Sequence, residues 1–340
     1  MTRIMIFLLS VAVIFATGAF TMNYIIAKNN TNTESTSTLI ADNSDSKDSK
    51  KISVSNKNYK YPEFYKGIYL TVNSANNMVK LKSFVEKAKA SKINSFVLDV
   101  QSAKLEKCIV PIENVQYCKD NGIHPIARIV IFPDGLSKWP VSEKYIENKL
   151  DIAESACING FTEIQFDYIR FNDSGANRKV SIKQRYEFIE NFILLAKERL
   201  KNYNVLIAAD VFGRIPLNEN DIIGQKMESL DKVVDIICPM AYPSHYTWST
   251  KLQKDPYYTV YHTSVKAKER AKKAEIVTWI QAFKMKLYNV PYDKYIYDQI
   301  KATHDAGIKG YLMWNARQDY AVPLQVVKDF YEKNSELAKR

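Results

Sequence analysis

The sequence predicts an α/β protein whose main domain, residues 61–340, is a (β/α)8 barrel preceded by one N-terminal membrane helix and a disordered linker. Runs typical of short strands alternate with amphipathic helical stretches eight times. The length of the domain suits one barrel of this kind, and its apolar content is sufficient for a core. A long uncharged segment at the start of the chain predicts the membrane helix.

That segment is residues 4–27, which follow Arg3 and contain no charged side chain. A membrane span needs about 20 predominantly apolar residues, whereas the core of a cleavable signal peptide has about 7 to 15. We therefore expect residues 1–27 to be an uncleaved anchor. The alternative is a signal peptide cut after Ala19, which would release the protein. In both cases Arg3 favours a cytoplasmic N-terminus and places the domain outside the cytoplasm.

Residues 28–60 consist mostly of Asn, Ser, Thr, Asp and Lys, and such a segment buries too little apolar surface to offset the entropy of ordering. This composition predicts a disordered linker. The formal charge of the chain is +11, but its lysines are spread over helix faces such as residues 78–92 and 265–273. No nucleic-acid partner is therefore predicted. The expected counterpart is an anionic wall or lipid surface.

The eight predicted strands are residues 66–72, 95–101, 124–132, 162–171, 205–213, 233–242, 275–283 and 307–315. Helical stretches such as residues 183–200 lie between them. This alternation indicates a parallel sheet with helices outside it, and eight units close a barrel. An open doubly wound sheet is the alternative. No Gly-x-Gly-x-x-Gly follows the first strand and glycine is scarce, so no nucleotide cofactor is predicted.

The cysteines also point away from a metal site. Cys108, Cys118, Cys157 and Cys238 follow no metal-ligand spacing, and the chain has only four histidines. Cys238 lies in an apolar strand, where buried free thiols are common. A disulfide between Cys108 and Cys118 remains open. No bound metal and no other cofactor is predicted.

The fourth strand carries the first candidate for chemistry. Because alternate side chains of a strand share a face, Glu163, Gln165 and Asp167 should point into the barrel. Barrel interiors are usually apolar, and burying a charge is costly unless it is paired. Asp167 lies at the carboxyl end of the strand, where barrel enzymes place their active sites, and is predicted to be catalytic. Glu163 lies near the start of the strand and is equally compatible with a structural role.

The fifth strand supplies a second carboxylate, Asp210, at the same predicted height as Asp167. Two carboxylates that flank one sugar linkage are the minimum equipment for glycoside hydrolysis. One acts as the general acid, and the other acts as the nucleophile or the base. The sequence assigns these roles to Asp210 and Asp167 respectively, with the reverse assignment open.

Further side chains near the predicted strand ends are candidates for binding substrate. Asp99 and Arg128 offer charge, and Arg128 can also hold a carboxylate ionised. Tyr242 and His245 offer hydrogen bonds, and the last strands add an amide and an aromatic ring. The predicted substrate-binding residues are Asp99, Arg128, Tyr242, His245, Gln281 and Trp314.

Five ordered runs, residues 66–72, 125–130, 163–171, 209–213 and 239–246, together resemble the bacterial putative glycosyl hydrolase domain family, domain of unknown function 4015. The resemblance implies a TIM barrel of the glycosidase type. It directs attention to Asp167, Asp210 and residues 242–245. One departure from the family pattern is the short segment 133–140, which predicts a reduced substrate wall after the third strand.

The sequence thus favours a glycoside hydrolase that acts on a cell-envelope or extracellular polysaccharide. One alternative is a non-catalytic carbohydrate-binding barrel tethered at the cell surface. Another is a metal-dependent hydrolase with Asp99, Asp167 and Asp210 around a hard cation such as magnesium or calcium.

Overall fold

The computed structural model describes residues 59–101, 106–173 and 179–338. The predicted anchor, residues 1–27, and nearly all of the predicted linker lie outside these ranges. Within them, no helix has the length and apolar character that crossing a membrane requires.

Eight parallel strands form a closed barrel in which each strand pairs with the next and β8 pairs with β1. The barrel prediction is confirmed, and the open-sheet alternative is wrong. The strands are β1 (Tyr65–Leu70), β2 (Ser95–Asp99), β3 (His124–Val130), β4 (Glu163–Asp167), β5 (Leu206–Phe212), β6 (Ile236–Met240), β7 (Glu275–Gln281) and β8 (Gly310–Trp314).

Helices follow the strands and surround the barrel. Among the described residues they are α1 (Val72–Asn76), α2 (Met78–Ala90), α3 (Ile112–Asp120), α4 (Glu143–Ile158), α5 (Ile182–Leu200), α6 (Met227–Leu230), α7 (Thr250–Lys254), α8 (Pro256–Arg270), α9 (Tyr292–Asp305), α10 (Ala321–Lys333) and α11 (Ser335–Ala338). Short 3-10 turns span Ile215–Leu217 and Pro243–His245.

Helix α5 shows how the sequence sets these elements. Ser181 accepts a hydrogen bond from the backbone of Gln184, whose side chain bonds back to the Ser181 backbone, and this capping box begins the helix. Ile189, Phe192 and Ile193 then recur at helical spacing and are buried. The ring of Phe192 packs edge-on against that of Phe166 from β4, 5.4 Å between centroids. Apolar periodicity therefore fixes which face of the helix covers the sheet.

The apolar core has two parts. The larger part lies between strands and helices, and the smaller part fills the barrel interior. Because side chains alternate along each strand, Val97, Ile126 and Ala208 point inward while their neighbours Phe96, Ala127 and Ala209 pack against the helices. The four cysteines are buried and free. The alternative of a Cys108–Cys118 disulfide is therefore wrong.

Candidate active site

Polar side chains occupy the barrel interior along β2 to β5. Strand register sets Arg128 of β3 beside Asp99 of β2 and Gln165 of β4. All three residues belong to the inward-facing set. A buried layer of charged and amide groups thus lies where barrel interiors usually hold branched apolar side chains.

Asp167, at the carboxyl end of β4, is held through both carboxylate oxygens. Its Oδ2 accepts hydrogen bonds from Nε of Arg128 at 3.0 Å and from Nη2 at 2.6 Å. Its Oδ1 accepts one from the backbone nitrogen of Tyr168 at 2.5 Å. Tyr168 has a φ of +51°, an unusual value for a residue with a side chain. The carboxylate is therefore fixed where the strand ends and the chain turns sharply.

Arg128 joins two carboxylates. Its Nη1 donates to Oδ1 of Asp99 at 2.5 Å, on the side away from Asp167. Asp99 also accepts a hydrogen bond from the Tyr69 hydroxyl. Burial alone would lower the pKa of the Arg128 guanidinium, but the charges of Asp167 and Asp99 raise it above its ordinary value. This arrangement is an acid–arginine–acid triad in which Arg128 and Asp167 are buried and Asp99 is partly exposed.

The triad bears on the metal-dependent alternative. The guanidinium lies between Asp99 and Asp167 and bonds to both, so these carboxylates do not converge on a common metal cation. Across the described ranges, no group of three or more His, Cys, Asp or Glu side chains is placed to bind a metal ion. The geometry of Asp99, Asp167 and Asp210 therefore does not favour the metal site considered from the sequence.

Asp210, on β5, lies in a different environment and is only 1% exposed. Its Oδ1 accepts hydrogen bonds from Nε2 of Gln165 at 2.8 Å and from Nε1 of Trp279 at 2.7 Å. Burial and the nearby charge of Asp167 raise its pKa well above the ordinary value, although Arg128 and the two donors act in the opposite direction. Asp210 therefore favours the protonated form more than an exposed carboxyl does.

Both carboxylates line a cavity of about 420 Å³ at the carboxyl end of the barrel. Half of its lining residues are Tyr, Phe or Trp. The lining residues are Arg128, Asp167, Tyr168, Asp210, Phe212, Gly213, Arg214, Met240, Tyr242, His245, Tyr246, Trp248, Trp279 and Trp314. A concave apolar pocket with a few convergent polar groups is the usual form of a ligand site.

The structure brings six of the eight predicted site residues to this cavity, namely Asp167, Asp210, Arg128, Tyr242, His245 and Trp314. The other two, Asp99 and Gln281, are not among the lining residues. Asp99 lies behind Arg128.

The side chain of Gln281 bonds to backbone atoms of two loops instead. It accepts from the nitrogen of Ser244 and donates to the carbonyl oxygens of Phe283 and Met285. These contacts order the loops around the cavity.

Sequence reasoning missed several lining residues, chiefly Tyr168, Phe212, Arg214, Trp248 and Trp279. Trp279 had a usable signal, because it shares the inward face of β7 with Gln281. Phe212 and Arg214 lie two and four positions after Asp210, where β5 ends. Trp248 lies beyond the β6 motif in an irregular segment, and no periodicity marks it.

Glu163 lies at the opposite end of the barrel and is absent from the cavity wall. Its Oε2 accepts a hydrogen bond from the Tyr65 hydroxyl at 2.8 Å and lies 2.9 Å from Nε2 of His124. His124 bonds in turn to the Tyr59 hydroxyl at 2.9 Å. This network closes the N-terminal end of the barrel, the end that serves stability in such folds.

A closed (β/α)8 barrel with carboxylates in a cavity at its carboxyl end has the architecture of a TIM-barrel enzyme. The chain belongs to the putative glycosyl hydrolase domain family, domain of unknown function 4015, whose model matches residues 138–320, more than half of the chain. The matched range includes Asp167 and Asp210. No curated protein sequence matches the chain at a significant level.

Solved structures share the fold. The glycoside hydrolase domain of PgaB (BpsB) from Bordetella bronchiseptica is 8% identical, with a TM-score of 0.60 over 78% of this chain and 98% of that one. The endo-β-1,4-mannanase of Thermotoga petrophila is 14% identical, with a TM-score of 0.54 over 81% and 77%. The chitinase of Chromobacterium violaceum is 12% identical, with a TM-score of 0.54 over 78% and 98%. At these identities the similarity shows the fold alone.

Proposed function

We propose that this protein is a glycoside hydrolase that cleaves an extracellular or cell-envelope polysaccharide, with Asp210 as the general acid and Asp167 as the nucleophile or base. One observation carries the proposal. Two strand-end carboxylates line the same aromatic cavity in opposite environments, one paired with an arginine and the other buried without a cation of its own.

The environment of Asp210 suits a proton donor. A general acid must hold its proton at the working pH, which requires a carboxyl pKa above the ordinary value. Burial and the charge of Asp167 raise the pKa of Asp210 in this direction. Gln165 and Trp279 both donate to Oδ1, so the proton of the acid form belongs on Oδ2. Hydrogen bonding thus selects the oxygen that delivers the proton.

The environment of Asp167 suits the complementary role. Arg128 is its counter-ion and fixes the position of the carboxyl group through two hydrogen bonds to Oδ2. As Asp210 protonates the glycosidic oxygen and the bond to the anomeric carbon breaks, positive charge develops on the sugar ring. Asp167 stabilises that charge by attacking the anomeric carbon or by activating a water molecule. The first route retains the anomeric configuration and the second inverts it, so proton NMR of the first product distinguishes them.

Substrate and location follow from separate considerations. The similar structures include proteins described as a chitinase and a mannanase, and the aromatic wall of the cavity suits the apolar faces of sugar rings. The uncharged segment 4–27 supports a position outside the cytoplasm. We therefore place the substrate among envelope or extracellular glycans.

The test is release of reducing ends from mannan, chitin, peptidoglycan and other envelope polysaccharides. We expect the wild type to release them from at least one polymer and Asp167→Asn or Asp210→Asn to lower the rate about 10²- to 10⁴-fold. Asp305→Asn is the matched control, since Asp305 pairs with Lys301 on the surface of α9. Full activity in either active-site variant would refute the assignment.

One result would favour a different function. The same aromatic wall also suits a non-catalytic carbohydrate-binding barrel. Glycan binding by the wild type without any release of reducing ends would support that function instead.

A further inference from the structure

The cavity is not centred on the barrel axis. Most of its lining residues lie at or beyond the ends of β5 and β6, whereas β1 and β2 contribute none of those described. Phe212 and Arg214 after β5, and His245 and Trp248 after β6, belong to the same wall as the two carboxylates. A bound chain that follows this wall passes over the ends of β5 and β6.

We infer that the substrate is an uncharged polysaccharide that runs from the carboxylates across the ends of β5 and β6 and stacks one sugar ring on Trp248. The inference rests on the proposed function and narrows it in two ways. It names a substrate class, neutral or N-acetylated glycans, and it assigns a binding residue that lies away from the reacting bond.

Trp248 has the exposure expected of a binding platform. It is 58% exposed, the highest value among the tryptophans of the described ranges. Its ring lies 5.0 Å from that of Tyr246, centroid to centroid, with 37° between the planes. The Tyr246 ring thus packs against Trp248, while more than half of the Trp248 side chain remains exposed at the cavity. Exposed aromatic surface beside a pocket commonly marks a ligand contact.

The support beneath Trp248 is rigid. Tyr246 is fully buried, and its hydroxyl is hydrogen-bonded to Thr263 at 2.8 Å. Gly213 approaches so closely that a Cβ there would lie 2.2 Å from the Tyr246 hydroxyl and 2.5 Å from the carbonyl oxygen of Met240. Burial and the hydroxyl contacts hold the Tyr246 ring in place, so the platform is organised before a sugar arrives. Such preorganisation lowers the entropic cost of binding.

The charges of the wall argue against an acidic glycan. Arg128 is paired with Asp99 and Asp167, and Arg214 is paired with Asp221 and Asp173. Burial, together with the charge of Lys286, lowers the pKa of His245, which favours its neutral form. Among the lining residues that the structure describes, each arginine already contacts two carboxylates. No uncompensated cation in that set is available for a uronate or a phosphate.

The test measures binding apart from catalysis. Full-length Asp167→Asn protein is run through native gels that contain soluble galactomannan, glycol chitin or alginate. We expect at least one of the two uncharged polymers to retard the protein. Because the chain carries a formal charge of +11, any retardation by the polyanion alginate should be the same with and without Trp248→Ala. Adding Trp248→Ala should weaken the retention roughly tenfold, the scale of losing one aromatic contact. Adding Trp248→Phe should preserve most of it.

Trp139→Phe is the matched control, because Trp139 is 43% exposed but absent from the cavity wall. Retention that is equal with and without Trp248→Ala would overturn the inference. So would retention by alginate that Trp248→Ala weakens to the same extent, or no retention by either uncharged polymer.

The proposed function has an independent readout. Trp248-dependent retention without release of reducing ends by the wild type would support this inference and contradict hydrolysis. Release of reducing ends at the same rate by wild type and Trp248→Ala would support hydrolysis and contradict the platform.

Discussion

The guanidinium of Arg128 donates two hydrogen bonds to one oxygen of Asp167, from Nε at 3.0 Å and from Nη2 at 2.6 Å. Its remaining nitrogen bonds to Asp99. One positive charge therefore serves two carboxylates inside the barrel, where unpaired charge is poorly tolerated. The same contacts orient Asp167 toward the cavity, so this residue pair links the stability of the barrel to the geometry of the site.

Replacing Arg128 should reveal both roles. We expect Arg128→Gln to lower the free energy of unfolding at neutral pH by about 3–5 kcal/mol, because the change leaves the buried Asp167 and the partly exposed Asp99 without their cation. Hydrolytic activity should be lost as well, since Asp167 loses the contacts that orient it. Urea denaturation followed by circular dichroism measures the first effect, and release of reducing ends measures the second.

Arg199→Gln provides the matched control. Arg199 also contacts several carboxylates, those of Glu147, Asp151 and Glu154, but on the surface of the helical layer. Exposed ion pairs are typically worth less than about 1 kcal/mol each. Equal destabilisation by Arg128→Gln and Arg199→Gln would contradict the importance assigned to the triad.

Asp210 should make stability depend on pH in a recognisable direction. The pKa of an Asp side chain in an unfolded chain is about 4. Burial and the charge of Asp167 raise the pKa of Asp210 in the folded protein. Between these two values the folded protein holds a proton that the unfolded chain has released. The contribution of Asp210 to stability is therefore fully present below about pH 4 and is lost as pH rises through the folded pKa.

Asp210→Asn removes this dependence. Relative to the wild type, the variant should gain stability as pH rises from about 4, and the gain should level off above the folded pKa. Urea denaturation across the acid-to-neutral range measures the difference.

Asp305→Asn is the control, because the pKa of Asp305 is shifted in the opposite direction to that of Asp210. Burial would raise the pKa of Asp305, but hydrogen bonds from Lys301 and Tyr257 outweigh it and lower the pKa. Its contribution to stability is present above the unfolded pKa and is lost as pH falls through the folded one. An Asp210→Asn gain that fails to grow with pH would contradict the buried-acid assignment.

The sequence alone predicted the barrel because the periodicities of its strands and of its helices are both visible within short segments of the chain. Strand alternation identified all eight strands, and the inward parity of Glu163, Gln165 and Asp167 in β4 followed from the pleat. Observed strands end earlier than predicted, as at Asp167, where the positive φ of Tyr168 turns the chain. Such a conformation in a tyrosine carries no sequence signal.

Specific side-chain contacts between residues distant in sequence were not predictable. Asp99 was correctly expected near a strand end, but only the register between β2 and β3 shows Arg128 beside it. The Trp248 ring contacts the buried ring of Tyr246. The position of the Tyr246 ring in turn requires a residue without a side chain at Gly213. These contacts join separate strands and loops, so no window along the chain contains them.

Glu163 and Asp167 lie four residues apart on β4, and replacing each by its amide should affect different properties. The Glu163 variant should lose stability, and the Asp167 variant should lose activity. Glu163 bonds to Tyr65 and His124 at the N-terminal end of the barrel, away from the cavity. We expect Glu163→Gln to lower the free energy of unfolding by about 1–3 kcal/mol, the cost of disturbing a buried hydrogen-bond network, with kcat/KM close to that of the wild type. Asp167→Asn should instead lower turnover about 10²- to 10⁴-fold.

Chemical denaturation and release of reducing ends, measured on both variants, separate the two roles. Comparable loss of activity in Glu163→Gln would mean that the N-terminal end of β4 also takes part in the chemistry.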